Sequence, residues 1–316
     1  MKRIIAIRSL LPALFLLTSL TACGTLPAAQ PQPTQPPAET ATSTPQTPSA
    51  APTAAPPTEQ AAEATLPPAA TETPIPSGPI EPEQYPPNIN PLSGLPVSDP
   101  QNLLLRPALV SITNFPKSAR PQAGLSFSPF VFELYIGEGM SRFLALFYGD
   151  YPGEAPSLDG DDSLISADSE IGPIRSGRLP YEHVRELYNG FLVMASAYAG
   201  VAQNLSGFTN IYGSDGDDIN SAMIKVTQLH QIAASQKKLS DTSALQVNAY
   251  DGNVPEGGAP ANHLWYIYNV LNQIEWRYDP SDGAYHRYQD QADGITFVQA
   301  ADKLTGEPLT YENVVI

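Results

Sequence analysis

The chain has 316 residues, 42% of them hydrophobic, and a formal net charge of −16 at pH 7. That balance excludes binding of nucleic acid through the overall field, which takes clustered basic side chains to neutralise phosphates. A single cysteine excludes an intrachain disulfide and a thiolate metal cluster.

The residues are unevenly distributed. Residues 1–22 read as a secretory signal: Lys2 and Arg3 form a basic start, and positions 4–20 are mostly apolar. The apolar run is short and soon turns polar, unlike a membrane-spanning helix. It closes on Leu20-Thr21-Ala22-Cys23, which resembles a bacterial lipobox. The resemblance implies cleavage before Cys23 and a diacylglycerol on its thiol, and one or two acyl chains hold a protein at a membrane surface. Loss of Lys2, Arg3 and Arg8 takes the net charge from −16 to −19. An acidic surface repels anionic headgroups, so attachment is expected to rest on the lipid. The expected location is extracytoplasmic.

Residues 23–88 are rich in Pro, Thr and Ala, with 18 prolines between Pro27 and Pro87 and no aromatic residue before Tyr85. Such a composition buries too little apolar surface to offset chain entropy, so a disordered stalk is expected. In polyproline II form about 65 residues reach on the order of 200 Å.

The folded part is expected from Asn88 onward. Residues 109–113 read as a strand, 114–122 as a proline-broken polar loop, and 130–136 and 142–148 as strands joined by a Gly-Glu-Gly turn. The acidic loop that follows carries Asp159, Asp161, Ser163 and Glu170 at calcium-loop spacing. Leu164, however, stands where that loop needs glycine, which favours a solvated loop. Next comes Gly-Pro-Ile-Arg-Ser-Gly-Arg at 172–178, on the approach to a helix over 180–189 with proline first and Gly190 behind it. Residues 191–198 read as a buried strand. Asp218 is expected to cap a helix in which Ile219, Ala222, Met223, Val226, Leu229 and Ala233 share a face, ending at Lys237 and Lys238. Residues 239–261 separate two parts. Residues 262–274 form a second helix candidate, and 276–278, 285–288 and 295–298 read as strands. The chain stops at Val314-Val315-Ile316, apolar residues that read as part of a strand, which suggests a truncated product.

The expected class is therefore α+β. A signal (1–22) and a lipid-anchored stalk (23–88) precede an N-terminal α/β-like part with a central sheet (89–240). A C-terminal helix with antiparallel strands (241–316), incomplete at its end, follows.

Several stretches together resemble the YerB-like bacterial lipoproteins. They include Asn-Pro-Leu-Ser-Gly-Leu-Pro at 90–96, Lys-Ser-Ala-Arg-Pro-Gln at 117–122, Ser-Arg-Phe-Leu-Ala at 141–145 and the 172–178 motif. The later stretches are Trp-Arg-Tyr-Asp-Pro at 276–280 and Gly-Ala-Tyr-His-Arg at 283–287. The resemblance covers about residues 89–316 and implies a membrane-anchored envelope protein without an assigned chemistry. It departs after the strand at 191: the family tends to carry His-x-Gly-Gly-Ser, and here Ala195-Ser196-Ala197-Tyr198-Ala199 stands.

The densest polar set is Asn114, Arg120, Gln122, Glu133, Glu138, Arg142, Arg175, Ser176 and Arg178. Arg175 and Arg178 precede a helix start, where free N–H groups and the dipole favour an anion, and an arginine fork binds carboxylate or phosphate in two places. The expected ligand is an anionic group of the cell wall or a partner, bound by Asn114, Arg120, Arg142, Arg175, Ser176 and Arg178. The alternative is that the arginines pair internally with Glu133, Glu138 or Glu182. An enzyme reading would use Glu133 and Glu138 as the carboxylate pair of a wall hydrolase. His183, His230, His263 and His286 fall at no metal-ligand spacing, so no metal or cofactor is expected. A non-enzymatic binding module for an envelope component or partner protein is the leading expectation, ahead of hydrolysis and of solute binding for transport.

Overall fold

A computed structural model describes residues 85–152, 165–166, 168–246, 248–250 and 257–316. The signal, Cys23, the Pro-rich stretch up to Gln84 and Asp159, Asp161, Ser163 and Leu164 of the acidic loop lie outside the described residues. The described part is α+β, with two main sheets and a small ribbon.

The central sheet is built on β1 (Ala108–Thr113), whose six residues are all buried. β2 (Phe130–Gly137) and β3 (Met140–Phe147) form the expected hairpin, and β3 lies antiparallel to β1. On the other side β5 (Phe191–Met194) and then β6 (Phe208–Asn210) run parallel, giving the order β2-β3-β1-β5-β6. Strands covered on both faces read as continuous apolar runs, as β5 does. On one face Val110, Ile112, Phe143, Ala145 and Val193 pack against α3 (Val226–Ser235). On the other, Leu109, Leu144, Leu146 and Leu192 pack against α1 (Pro180–Leu187) through Tyr181 and Tyr188. α2 (Ala199–Ala202) is a single turn before β6.

β1 and β5 pair only from Ala108↔Phe191 to Val110↔Val193. Beyond that point the 172–178 motif inserts between them. Arg175 N donates to Ser111 O at 2.9 Å, Ala195 N donates to Arg175 O at 3.0 Å, and Gly177 N donates to Ser196 O at 2.9 Å. The glycines make this possible. A Cβ on Gly177 would stand 2.4 Å from Met194 Sδ, and Gly172 adopts φ +146° with its Cβ position 2.8 Å from Met223 Sδ.

The second sheet has the order β11-β10-β9-β8, from β8 (His263–Asn269), β9 (Asn272–Asp279), β10 (Ala284–Asp290) and β11 (Phe297–Gln299), with β12 (Thr310–Tyr311) also on β10. All of its pairings are antiparallel.

Three expectations are corrected. The helix expected from Asp218 begins only at Val226. Ala222 O accepts Ile174 N at 2.6 Å, and β7 (Ile224–Lys225) pairs with β4 (Glu170–Ile171), so residues 222–225 are held extended. Asp218 instead caps a local turn, its Oδ1 accepting Asn220 N at 2.8 Å. The helix expected over 262–274 is the β8–β9 hairpin, whose aromatic and branched side chains alternate across a pleat rather than winding on a helix. Residues 312–316 lie outside any strand, the last being β12.

Candidate functional site

The polar set expected to form one cluster is divided by the central sheet. Successive side chains of a strand point to opposite faces. On β3, Arg142 shares the face of Leu144 and Leu146, which contact α1. Phe143 lies on the other face and stands opposite Glu133 on β2. Arg142, Arg175, Ser176 and Arg178 thus gather near the start of α1, while Asn114, Arg120, Gln122 and Glu133 gather toward the second sheet.

The arginine group lies beside the C-terminal half of β1: Arg142 is paired with Thr113, and Arg175 N with Ser111 O. Arg142 is 8% exposed. Its Nη1 donates to Ser176 O at 2.6 Å, and its Nε is buried with no partner. Burial lowers its guanidinium to about 10, against the favourable Tyr181 hydroxyl and helped by neighbouring Arg178 and Arg175. Arg178 Nη1 donates to Gly177 O at 3.0 Å, and Arg175 Nη2 reaches Asn220 Oδ1 at 3.5 Å. Burial also lowers Arg175, with Asp218 opposing the shift. Among the described residues no carboxylate lies within ion-pair distance of Arg142, Arg175 or Arg178. The internal pairing weighed in the sequence is absent there: Glu182 pairs with Arg185 at 2.7 Å and Glu133 with Arg287 at 2.9 Å. Ser196, beside the inserted motif, is held at φ +64°.

The second group forms a network between the sheets. Glu133 Oε1 accepts from Ser141 Oγ at 2.6 Å and Asn114 Nδ2 at 3.2 Å, and its Oε2 accepts from Arg287 Nη2 at 2.9 Å. Asn114 Oδ1 accepts from Gln122 Nε2 at 3.2 Å. Arg120 donates from Nε to Asn114 O and from Nη1 to Asp290 O. Burial lowers Arg120 to about 10, and nearby Arg287 adds to that shift. Asn272 Nδ2 donates to Gly139 O at 2.9 Å, and Gln289 Nε2 to Asn272 Oδ1 at 3.0 Å. Glu138 stands apart, exposed in the β2–β3 turn at φ +54°.

Sequence reasoning missed Ser111, Ser141, Tyr181, Asn272 and Arg287. Arg287 and Gln289 carried a usable signal: they are polar residues two apart on one face of β10, and both are buried. Among the described residues no group of three or more His, Cys, Asp and Glu side chains is placed to hold a metal ion.

Comparison with known proteins places residues 92–249 in the family described as "Protein of unknown function (DUF3048) N-terminal domain". YerB of Bacillus subtilis (strain 168), provisionally designated a lipoprotein, is 28% identical over 236 residues, which is 67% of this chain and 61% of YerB. The chain thus matches less than two thirds of that relative's length. The crystal structure of YerB from Bacillus subtilis aligns with TM-score 0.49 and 22% identity, over 70% of this chain and 71% of the other.

Proposed function

We propose, for this chain that belongs to the DUF3048 family of unknown function, a lipid-anchored extracytoplasmic role in which Arg142, Arg175 and Arg178 bind an anionic group of an envelope component. The observation that carries this reading is the gathering of three arginines with no carboxylate at ion-pair distance among the described residues, Asp218 acting on Arg175 only from farther away, in a chain of net charge −16. An acidic protein has ample carboxylates for pairing, so unpaired guanidinium groups at a helix start favour an external anion. Arg175 and Arg178 offer donors from a half-buried position, and Arg142 supports them from below. The lipobox at Cys23 and the designation of YerB as a lipoprotein support attachment to the membrane through the lipid.

Binding is favoured over hydrolysis because Glu133 faces Arg287 rather than a second carboxylate. Glu138 lies exposed in a turn and takes no part in the hydrogen bonds around Glu133, whereas a hydrolase sets two carboxyls facing one bond. The test is incubation of the full chain with purified cell-wall fragments carrying phosphate or carboxylate groups. Retention of the protein without release of soluble sugar or peptide is expected. Retention is expected to be lost in the Arg175→Ala/Arg178→Ala variant. Release of soluble fragments would overturn the binding-only reading, and undiminished retention of the double variant would overturn the site.

A further inference from the structure

Two tyrosines lie open on the loops around the arginine group: Tyr198 is 77% exposed and Tyr212 is 72% exposed. Both follow the carboxyl ends of parallel strands. Tyr198 comes soon after β5 ends at Met194, and Tyr212 soon after β6 ends at Asn210. In sheets with parallel strands, ligands bind outside those carboxyl ends, where neighbouring connections part. Here β1 and β5 stop pairing after Val110↔Val193, and the 172–178 motif enters.

Hydrogen bonds tie both tyrosine segments to that motif. Ala195 N donates to Arg175 O and Gly177 N to Ser196 O, so the chain leading to Tyr198 runs alongside the chain leading to Arg178. A Cβ on Gly177 would stand 3.7 Å from Ala197 Cβ, next in sequence to those two residues. On the other flank, Ser196 N donates to Asn210 Oδ1 at 3.1 Å, and Ser214 N donates to Ser221 O at 3.5 Å. Asn220, beside Ser221, accepts from Arg175 Nη2. Tyr212 lies between Asn210 and Ser214 in sequence. The two tyrosine segments therefore flank the arginines, that of Tyr198 beside Arg178 and that of Tyr212 beside Arg175.

A single exposed aromatic is ordinary; two of them around a cluster of cations narrow the ligand. Tyrosine presents an apolar body and a polar tip. A sugar ring presents the matching surfaces, a C–H face and a rim of hydroxyls. Three guanidinium groups with no carboxylate at ion-pair distance among the described residues suit a doubly charged phosphate better than a single carboxylate. We infer that the arginine site takes a phosphorylated sugar, with the phosphate on Arg175 and Arg178 and the ring against Tyr198 and Tyr212. The inference rests on the anion site proposed above and adds the chemical class of its ligand.

The test is calorimetric titration of the full chain with inorganic phosphate, glycerol 1-phosphate, glucose 1-phosphate and uridine monophosphate. Glucose 1-phosphate is expected to bind about tenfold tighter than inorganic phosphate or glycerol 1-phosphate. Tyr198→Ala and Tyr212→Ala change side chains too exposed to hold the fold. Each should weaken glucose 1-phosphate by about threefold or more and leave inorganic phosphate unchanged, whereas Arg175→Ala/Arg178→Ala should weaken both. Absence of binding by every phosphate overturns the arginine site and this inference with it. If phosphate binds but glucose 1-phosphate gains nothing over glycerol 1-phosphate, or keeps its gain in both tyrosine variants, the sugar is overturned and the anion site stands. Tighter binding of uridine monophosphate than of glucose 1-phosphate overturns the sugar in favour of a nucleotide.

Discussion

Replacing Arg175 or Arg178 by alanine is expected to cost little stability, because each is half-buried and bonded only to uncharged groups. Arg142→Ala differs. It removes a buried guanidinium that holds Ser176 O, at a cost of about 1–3 kcal/mol in urea denaturation. Glu182 has its own signature. Burial alone would raise its carboxyl, but hydrogen bonds from Arg185 and Ser206 outweigh that and hold it down at about 2. A depressed acid stabilises the fold above its unfolded value and loses that contribution as pH falls through the folded one. The contribution should therefore be full at neutral pH and fade between about pH 4.5 and pH 2. Glu182→Gln should flatten the stability-against-pH curve in that window. At this scale the sequence was only half legible. The arginines of 172–178 were visible as a cluster ahead of a helix, but the groups they bond to were not. The opposite facing of Arg142 and Phe143 follows from strand alternation, while Arg287 comes from a strand more than 100 residues away along the chain.

At the scale of elements, the inserted motif is the most constrained piece. Gly177→Ala would place a methyl group 2.4 Å from Met194 Sδ and 2.8 Å from Leu205 Cδ1. A loss of about 1–3 kcal/mol is expected, measured by urea denaturation and accompanied by weaker anion binding as Ser176 and Arg178 shift. Strands with continuous apolar runs and a glycine turn were readable, as was α1 with proline at its start. The early helix start at Asp218 was misread, because its apolar spacing is real but residues 222–225 satisfy their backbone groups through Ile174 and β4. The stretch 262–274 was misread for a related reason: a short aromatic run fits either period until a partner strand is known. Here β9 supplies the partner, with Tyr266 opposite Ile274.

For the whole molecule, the network from Asn114 through Glu133 to Arg287 joins the sheets by buried, charge-assisted hydrogen bonds. Glu133→Ala strands Arg287 without its counter-charge and is expected to cost about 3–5 kcal/mol. Circular dichroism and tryptophan emission of the wild-type chain should fall in one coincident urea transition, because the tryptophans report the second sheet and the helices report the first. The central claim is an anion site at Arg142, Arg175 and Arg178. Its most direct measurement is the NMR spectrum of the arginine Nε–H groups during titration of the full chain with inorganic phosphate. The account predicts a saturable shift of the Arg142 signal, whose Nε lacks a partner, and its disappearance in Arg175→Ala/Arg178→Ala. An Arg142 signal that stays unmoved at saturating phosphate, or moves equally in the double variant, would contradict it.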